Sequence, residues 1–377
     1  MIEFKNPAIS TRMKAHSVAS ALITHANIIS VCLIVIFTGL LFFINLGRGP
    51  LWWADEQTYS QWGFYIEKTG DYLTPWAYGE PSLWIGKPPL YFWLMALAYQ
   101  VFGVNNFSTR FWNPVFGVLS CVVVFYFGKR LYNRSTGFLA VLVLSTFFTF
   151  FSFARHAMLD VPFIFFMLTS IFFFVVYERQ GENTKYILLS GVFFGLALLT
   201  KQTTALLIPL IIAPYLVLTR KSIKSLFTKQ FALFMVVGIL IISPWLVYMI
   251  LQYGFRFWYV FLLYNNVMRS ISPLEGHVGD SLFYFNYLIT RENILWVAIL
   301  PLAVGFSLFK AFRKHDNRDV LFLMWIVVVL VVFTVAQTKL FWYILPAFPA
   351  FAILIADFLY NLSKKLIKTK KSKFLNL

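Results

Sequence analysis

Long unbroken apolar runs, parted by short polar stretches, set the pattern of this chain. They fall at about 28–46, 112–128, 135–153, 161–177, 186–200, 203–218, 231–250, 294–309, 319–336 and 340–360. Each holds about 15–21 residues, near the length an α-helix needs to cross roughly 30 Å of hydrocarbon. Apolar and polar positions do not alternate within them, which argues against a β-barrel. The pattern therefore predicts an all-α polytopic membrane protein, one helical bundle of about ten transmembrane helices over residues 1–377. The first run follows about 25 polar residues with no small-residue cleavage site and is expected to be a retained span.

One further stretch, Pro88–Phe102, is apolar but troublesome. Counted as a span, it would put Lys129, Arg130 and Arg134 on the opposite side from the other basic loops. Read as a helix lying in or dipping into the outer interface, it lets the chain start and end inside. Of the 32 Lys and Arg, 22 then lie inside, as the positive-inside rule requires. Acidic residues show the opposite bias: Asp55, Glu56, Glu67, Asp71, Glu80, Asp160, Glu275, Asp280 and Glu292 fall outside. They hardly influence insertion, so their placement marks where the chemistry lies.

Two outer loops are long, at about 47–110 and 251–293, and a basic cytoplasmic tail covers about 361–377. The first loop is rich in aromatics (Trp52, Trp53, Tyr59, Trp62, Tyr65, Tyr72, Trp76, Tyr78, Trp84), which favour the headgroup region and predict short juxtamembrane helices.

Composition agrees with a membrane-embedded chain: 60% hydrophobic, 12% charged, mean hydropathy +0.74. A net charge of +17 would suggest nucleic acid in a soluble protein. Here most of it lies in short loops and the tail, so anionic membrane lipids are the expected partner and nucleic acid is not. Cys32 and Cys121 lie inside apolar runs and are expected to be buried packing residues.

Ionisable groups at helix mouths are costly unless paired or used, and here they converge on the outer side. Asp55-Glu56 stands just past the first span; the pair could simply favour a helix start, or bind a hydroxyl, cation or sugar. Lys87-Pro88-Pro89 places a cation before a helix, where it could snorkel to lipid phosphate or hold a bound one. Arg155-His156 and Asp160 share a tight turn, in which Asp160 can both cap the next helix and act chemically. Lys201 joins two short spans and should be recessed in a cavity. Arg269, His277, Lys339 and Tyr343 complete an anion cradle, although His277 alone reads as a surface histidine.

In this order and topology the pieces resemble the GT-C type membrane glycosyltransferases that use polyprenyl-phosphate sugars, notably the lipid A aminoarabinose transferases and protein O-mannosyltransferases. The matching pieces are Asp55-Glu56, Lys87-Pro88-Pro89, Arg155…Leu159-Asp160, Leu199-Thr200-Lys201, Arg269…His277 and Lys339…Tyr343…Pro346…Pro349. The resemblance implies a polyprenyl-phosphate-linked sugar donor and a lipid, glycan or protein acceptor. It also implies a site facing the periplasm from the bacterial inner membrane. Asp55 is then the expected catalytic base, supported by Glu56 and Asp160. The donor phosphate would be met by Lys87, Arg155, His156, Lys201, Arg269, His277 and Lys339, with Tyr343 donating a hydrogen bond. No cofactor is assigned; a divalent metal, if one takes part, would use Asp55 and Asp160. A transporter or flippase of lipid-linked sugars is the first rival, but it would place charges at midplane and show repeated halves. An O-antigen ligase or polymerase is the second, where paired first-loop carboxylates are less expected.

Overall fold

A computed structural model describes residues 7–51, 54–83, 86–179, 183–314 and 316–375. Trp52, Trp53 and Trp84 of the aromatic loop lie outside these. The chain is almost wholly helical: α1 (Pro7–Phe43), α2 (Ala54–Thr69), α3 (Leu90–Phe102), α4 (Asn106–Arg110), α5 (Trp112–Leu131), α6 (Arg134–Thr146), α7 (Phe148–Phe153) and α8 (Asp160–Arg179). There follow α9 (Thr184–Lys201), α10 (Leu207–Arg220), α11 (Lys229–Trp258), α12 (Arg269–Ile271), α13 (Phe283–Arg291), α14 (Ile294–Lys314), α15 (Asn317–Val335) and α16 (Phe348–Leu375).

Among the described residues, eight helical segments are long and apolar enough to cross a membrane. All ten apolar runs lie mainly on helices; the two counts differ at two places. The run 135–153 breaks at Phe147, whose ψ of 125° is extended, leaving α6 with 13 residues. The runs 186–200 and 203–218 form one helical stretch, Thr184–Arg220, bent sharply at Gln202. At this joint the helices part: α9 packs between α8 and α11, whereas α10 packs on α15. Lipid has no hydrogen bonds to offer, so such breaks persist only where the protein supplies partners. At Phe147 the supplier is Glu292, whose carboxylate accepts from the Thr149 N–H at 3.1 Å and from the Thr149 hydroxyl.

Helix α3 has 13 residues, roughly 20 Å at 1.5 Å per residue, which is too short to cross a bilayer. It packs on α2 through a separate apolar cluster that includes Tyr59, Trp62, Ile66, Phe92, Met95 and Tyr99. Trp62 stacks on Phe92 with ring centroids 3.9 Å apart. Between these helices a two-stranded antiparallel hairpin, β1 (Trp76–Ala77) and β2 (Glu80–Pro81), turns at Tyr78-Gly79. Both turn residues have positive φ, 54° and 89°, as a tight hairpin turn requires.

The second long loop, expected from about 251, is largely helical. After a kink at Gly254 (φ +53°) α11 resumes and leads into a π-helix, Tyr259–Met268, before α12. The basic tail is helical as well, forming the last turns of α16.

Cys121 is buried as expected, but Cys32 is exposed. It shares α1 with exposed Ile28, Ile29, Leu33, Ile36 and Leu40, an apolar surface suited to lipid. At the end of α15 opposite the cavity described below, Lys310 is buried between Asp319 at 2.9 Å and Asp357 at 2.5 Å. Tyr132 also donates to Asp319, at 2.9 Å. This cluster ties α14, α15 and α16 to the turn between α5 and α6.

Candidate active site

The adjacent carboxylates Asp55 and Glu56 lie in the first turn of α2, where the exposed N–H groups of a helix favour negative charge. They go opposite ways. Asp55 lines a large cavity and is hydrogen-bonded to Tyr59. Glu56 is fully buried and does not reach that cavity. Its carboxylate accepts from Arg110 Nε at 2.7 Å and Nη2 at 2.9 Å. The guanidinium also donates to the carbonyls of Leu46, Arg48 and Pro50, so all five of its N–H groups are used. Glu56 thus anchors Asp55, and the first-loop entry is wrapped around Arg110.

The Glu56 oxygen that meets Arg110 Nε, Oε1, also accepts from the N–H of Ala157 at 2.9 Å, in the turn between α7 and α8. Asn113 completes the grip on that turn, donating to the carbonyls of Phe153 and Met158. Arg155 and His156 are not on the cavity wall. Arg155 donates to the carbonyls of Leu41, Phe42 and Ile44. It satisfies the open C-terminal end of α1, a position that favours a cation. His156 Nδ1 lies 2.8 Å from the Ser152 carbonyl. Asp160, by contrast, opens α8 at the cavity and forms a buried ion pair with Lys201.

The cavity measures about 980 Å³ and gathers Asp55, Lys87, Asp160, Lys201, Arg269, His277, Lys339 and Tyr343. It therefore collects eight of the eleven expected site residues, leaving out Glu56, Arg155 and His156. Arg269 is hydrogen-bonded to Tyr343 and to Glu275, the latter at 2.6 Å. His277 lies 3.8 Å from Glu275. The ammonium of Lys339 is spent on the carbonyls of Phe333, Thr334 and Ala336 at the end of α15. Lys87 is recessed: burial lowers its pKa to about 8 against the opposing pull of Asp55. Burial also raises the Asp55 carboxyl above its ordinary value, with Lys87 working the other way.

Part of the cavity wall is apolar: Leu206, Leu210 of α10 and Val332 of α15 line it and are also 41%, 49% and 37% exposed.

Sequence reasoning missed the neutral polar wall formed by Gln202, Thr203, Asn265 and Asn266. Amides are ordinary in loops and carry no periodic signal. Gly86, next to Lys87, has φ +53°, and a Cβ there would collide with the Asn265 carboxamide. Glycine is what lets the first loop seat against the π-helix.

Among the described residues, no group of three or more His, Cys, Asp and Glu side chains gathers as a metal-binding set. Asp55 and Asp160 would offer a cation two carboxylates, one already bonded to the Lys201 ammonium. These residues do not fit a dedicated metal cage.

Residues 86–248 match the dolichyl-phosphate-mannose-protein mannosyltransferase family. An uncharacterised protein of Aquifex aeolicus is 32% identical over 91% of this chain and 66% of its own length. An undecaprenyl phosphate-alpha-4-amino-4-deoxy-L-arabinose arabinosyl transferase of Yersinia enterocolitica is 29% identical over 89% of this chain and 60% of its own. The chain thus spans less than two thirds of the length of these relatives. The crystal structure of ArnT from Cupriavidus metallidurans bound to undecaprenyl phosphate superposes with a TM-score of 0.77 at 22% identity. That match covers 90% of this chain and 62% of the other. The chain is therefore a multi-pass helical membrane protein with the GT-C type fold of ArnT, and its sequence resembles those of the aminoarabinose transferases and the protein mannosyltransferases.

Proposed function

We propose that this chain transfers a sugar from a polyprenyl-phosphate donor to a lipid, glycan or protein acceptor at the periplasmic face of the bacterial inner membrane. The observation that carries this reading is a single cavity whose wall holds both kinds of surface: Asp55 among Lys87, Lys201 and Arg269, and the exposed apolar residues Leu206, Leu210 and Val332. A polyprenyl tail suits the apolar wall, and a phosphate at its head would meet the cations.

Attack by an acceptor oxygen on the anomeric carbon forms the new glycosidic bond as the bond to the phosphate oxygen breaks. The leaving phosphate gains charge in the transition state, so preorganised cations aimed at it lower the barrier. Lys87, Lys201 and Arg269 are placed for this, and Tyr343 orients Arg269. Asp55 takes the proton of an acceptor hydroxyl, and its raised pKa makes it a better base. An acceptor phosphate, already ionised, would need only positioning. Lys339 and His277 serve the outer-loop wall, where Lys339 closes the end of α15.

The direct test reconstitutes the chain with an undecaprenyl-phosphate-linked sugar and an envelope lipid extract. Release of undecaprenyl phosphate together with sugar-bearing acceptor is the expected result. Movement of the intact donor across the bilayer without release would favour a flippase instead.

Two further results are expected. Only the ammonium form of Lys87 attracts phosphate, so donor affinity should fall as pH rises through about 8. Lys87→Arg keeps its charge there and should lose this alkaline limb; an unchanged limb would remove Lys87 from the phosphate site. Cysteines placed near Arg134 and Asn317 should react with a membrane-impermeant thiol reagent only from the cytoplasmic face. Labelling of either from outside intact cells overturns the orientation.

A further inference from the structure

Two uncommon backbone features meet on one wall of the cavity. Gln202 has φ +51°, a region where any side chain but glycine's is strained and where functional residues concentrate. Asn265 and Asn266 sit in the ten-residue π-helix Tyr259–Met268, a rare form that recurs at functional sites. Asn266 joins the two: its Nδ2 donates to Gln202 Oε1 at 3.2 Å, and its Oδ1 accepts from the Thr203 hydroxyl.

What the network leaves over is informative. Gln202 is only 4% exposed yet lines the cavity, and among the described residues nothing accepts from its Nε2. Asn265 donates to the Val260 carbonyl at 2.8 Å, which leaves its Oδ1 as an acceptor. The wall thus offers one amide donor and one carbonyl acceptor, both uncharged. A hydroxyl both donates and accepts, so it can use both groups. A phosphate oxygen only accepts and would be repelled by the Asn265 carbonyl. The cations stand beside the amides in the chain, Lys201 directly before Gln202 and Arg269 three residues after Asn266.

We infer that Gln202 and Asn265 form the subsite that reads the hydroxyl groups of the donor's sugar ring, with Asn266 as the positioning residue that holds Gln202. The inference rests on the sugar-transfer reading above and deepens it. The cations hold the phosphate, whatever sugar it carries; the amides select the sugar. A sugar lacking the matching hydroxyl leaves the buried Gln202 amide or the half-buried Asn265 amide unpaired, which is how such sites discriminate.

The test measures binding of undecaprenyl phosphate, and of the same lipid carrying either a neutral hexose or an aminopentose, to the purified full chain in lipid nanodiscs. Wild-type protein should bind the better of the two sugar-bearing lipids more tightly than bare undecaprenyl phosphate. Gln202→Ala and Asn265→Ala should each lower that affinity by about 5–10-fold, the worth of one hydrogen bond. Bare undecaprenyl phosphate should bind both variants as it binds wild type. Gln202→Glu keeps the length and shape of the side chain but removes the amide donor, so it guards against misfolding and should show the same selective loss. Equal loss for bare and sugar-bearing lipids, or a wild type that does not distinguish them, overturns the subsite. A wild type that binds none of these lipids overturns the donor reading itself, and the subsite with it.

Discussion

Asp55→Asn is expected to lower the rate of sugar transfer by about 10²–10⁴, the usual worth of a general base, with the fold and donor affinity kept. The substitution preserves shape, so the hydrogen bond with Tyr59 has an acceptor either way. The anchoring of the loop belongs to its neighbour Glu56, whose bonds to Arg110 and Ala157 remain. What disappears is the negative charge facing the cations. Purified variant and wild type, compared for transfer and for donor binding separately, decide the matter. Wild-type turnover sinks the assignment of Asp55 as base. Lost donor affinity at unchanged turnover would place Asp55 in the donor site instead.

Arg110→Met should cost about 3–5 kcal/mol of stability, because it strands a buried carboxylate. Side-chain exposure is 5% for Arg110 and 0% for Glu56, so water cannot replace the lost partner. Three backbone carbonyls lose their donor as well. The double variant Glu56→Met with Arg110→Met should regain part of the loss, since no charge is then left unpaired. Thermal unfolding of the purified proteins measures both. A loss below about 1 kcal/mol, the level of exposed ion pairs, would mean that this pair behaves as a surface one.

How far the sequence could lead is clearest at particular residues. The apolar runs were legible because lipid demands them, and the cations at helix mouths because their cost in a membrane is high. Lys87, Lys201 and Arg269 were found in this way, and the structure brings them to one cavity. Asp55 and Glu56, adjacent and alike in charge, could not be told apart: which faces the cavity depends on Arg110, 54 positions away. Arg155 was misplaced for a similar reason, since the end of α1 that it closes is far off in sequence. The break at Phe147 has no proline or glycine to announce it. Gln202 and Asn266 were invisible because their pairing arises from a strained joint and a π-helix, neither of which leaves a periodic trace.

The exposed apolar residues Leu206, Leu210 and Val332 on the cavity wall also change what concentration would mean for a polyprenyl donor that reaches the cavity past them. A ligand entering there arrives from within the plane of the bilayer, not from solution. Occupancy is then set by the ligand's mole fraction among surrounding lipids and by two-dimensional diffusion. A scarce lipid can therefore saturate the site when the membrane around the protein is small, and starve it when the same amount is spread through more bilayer.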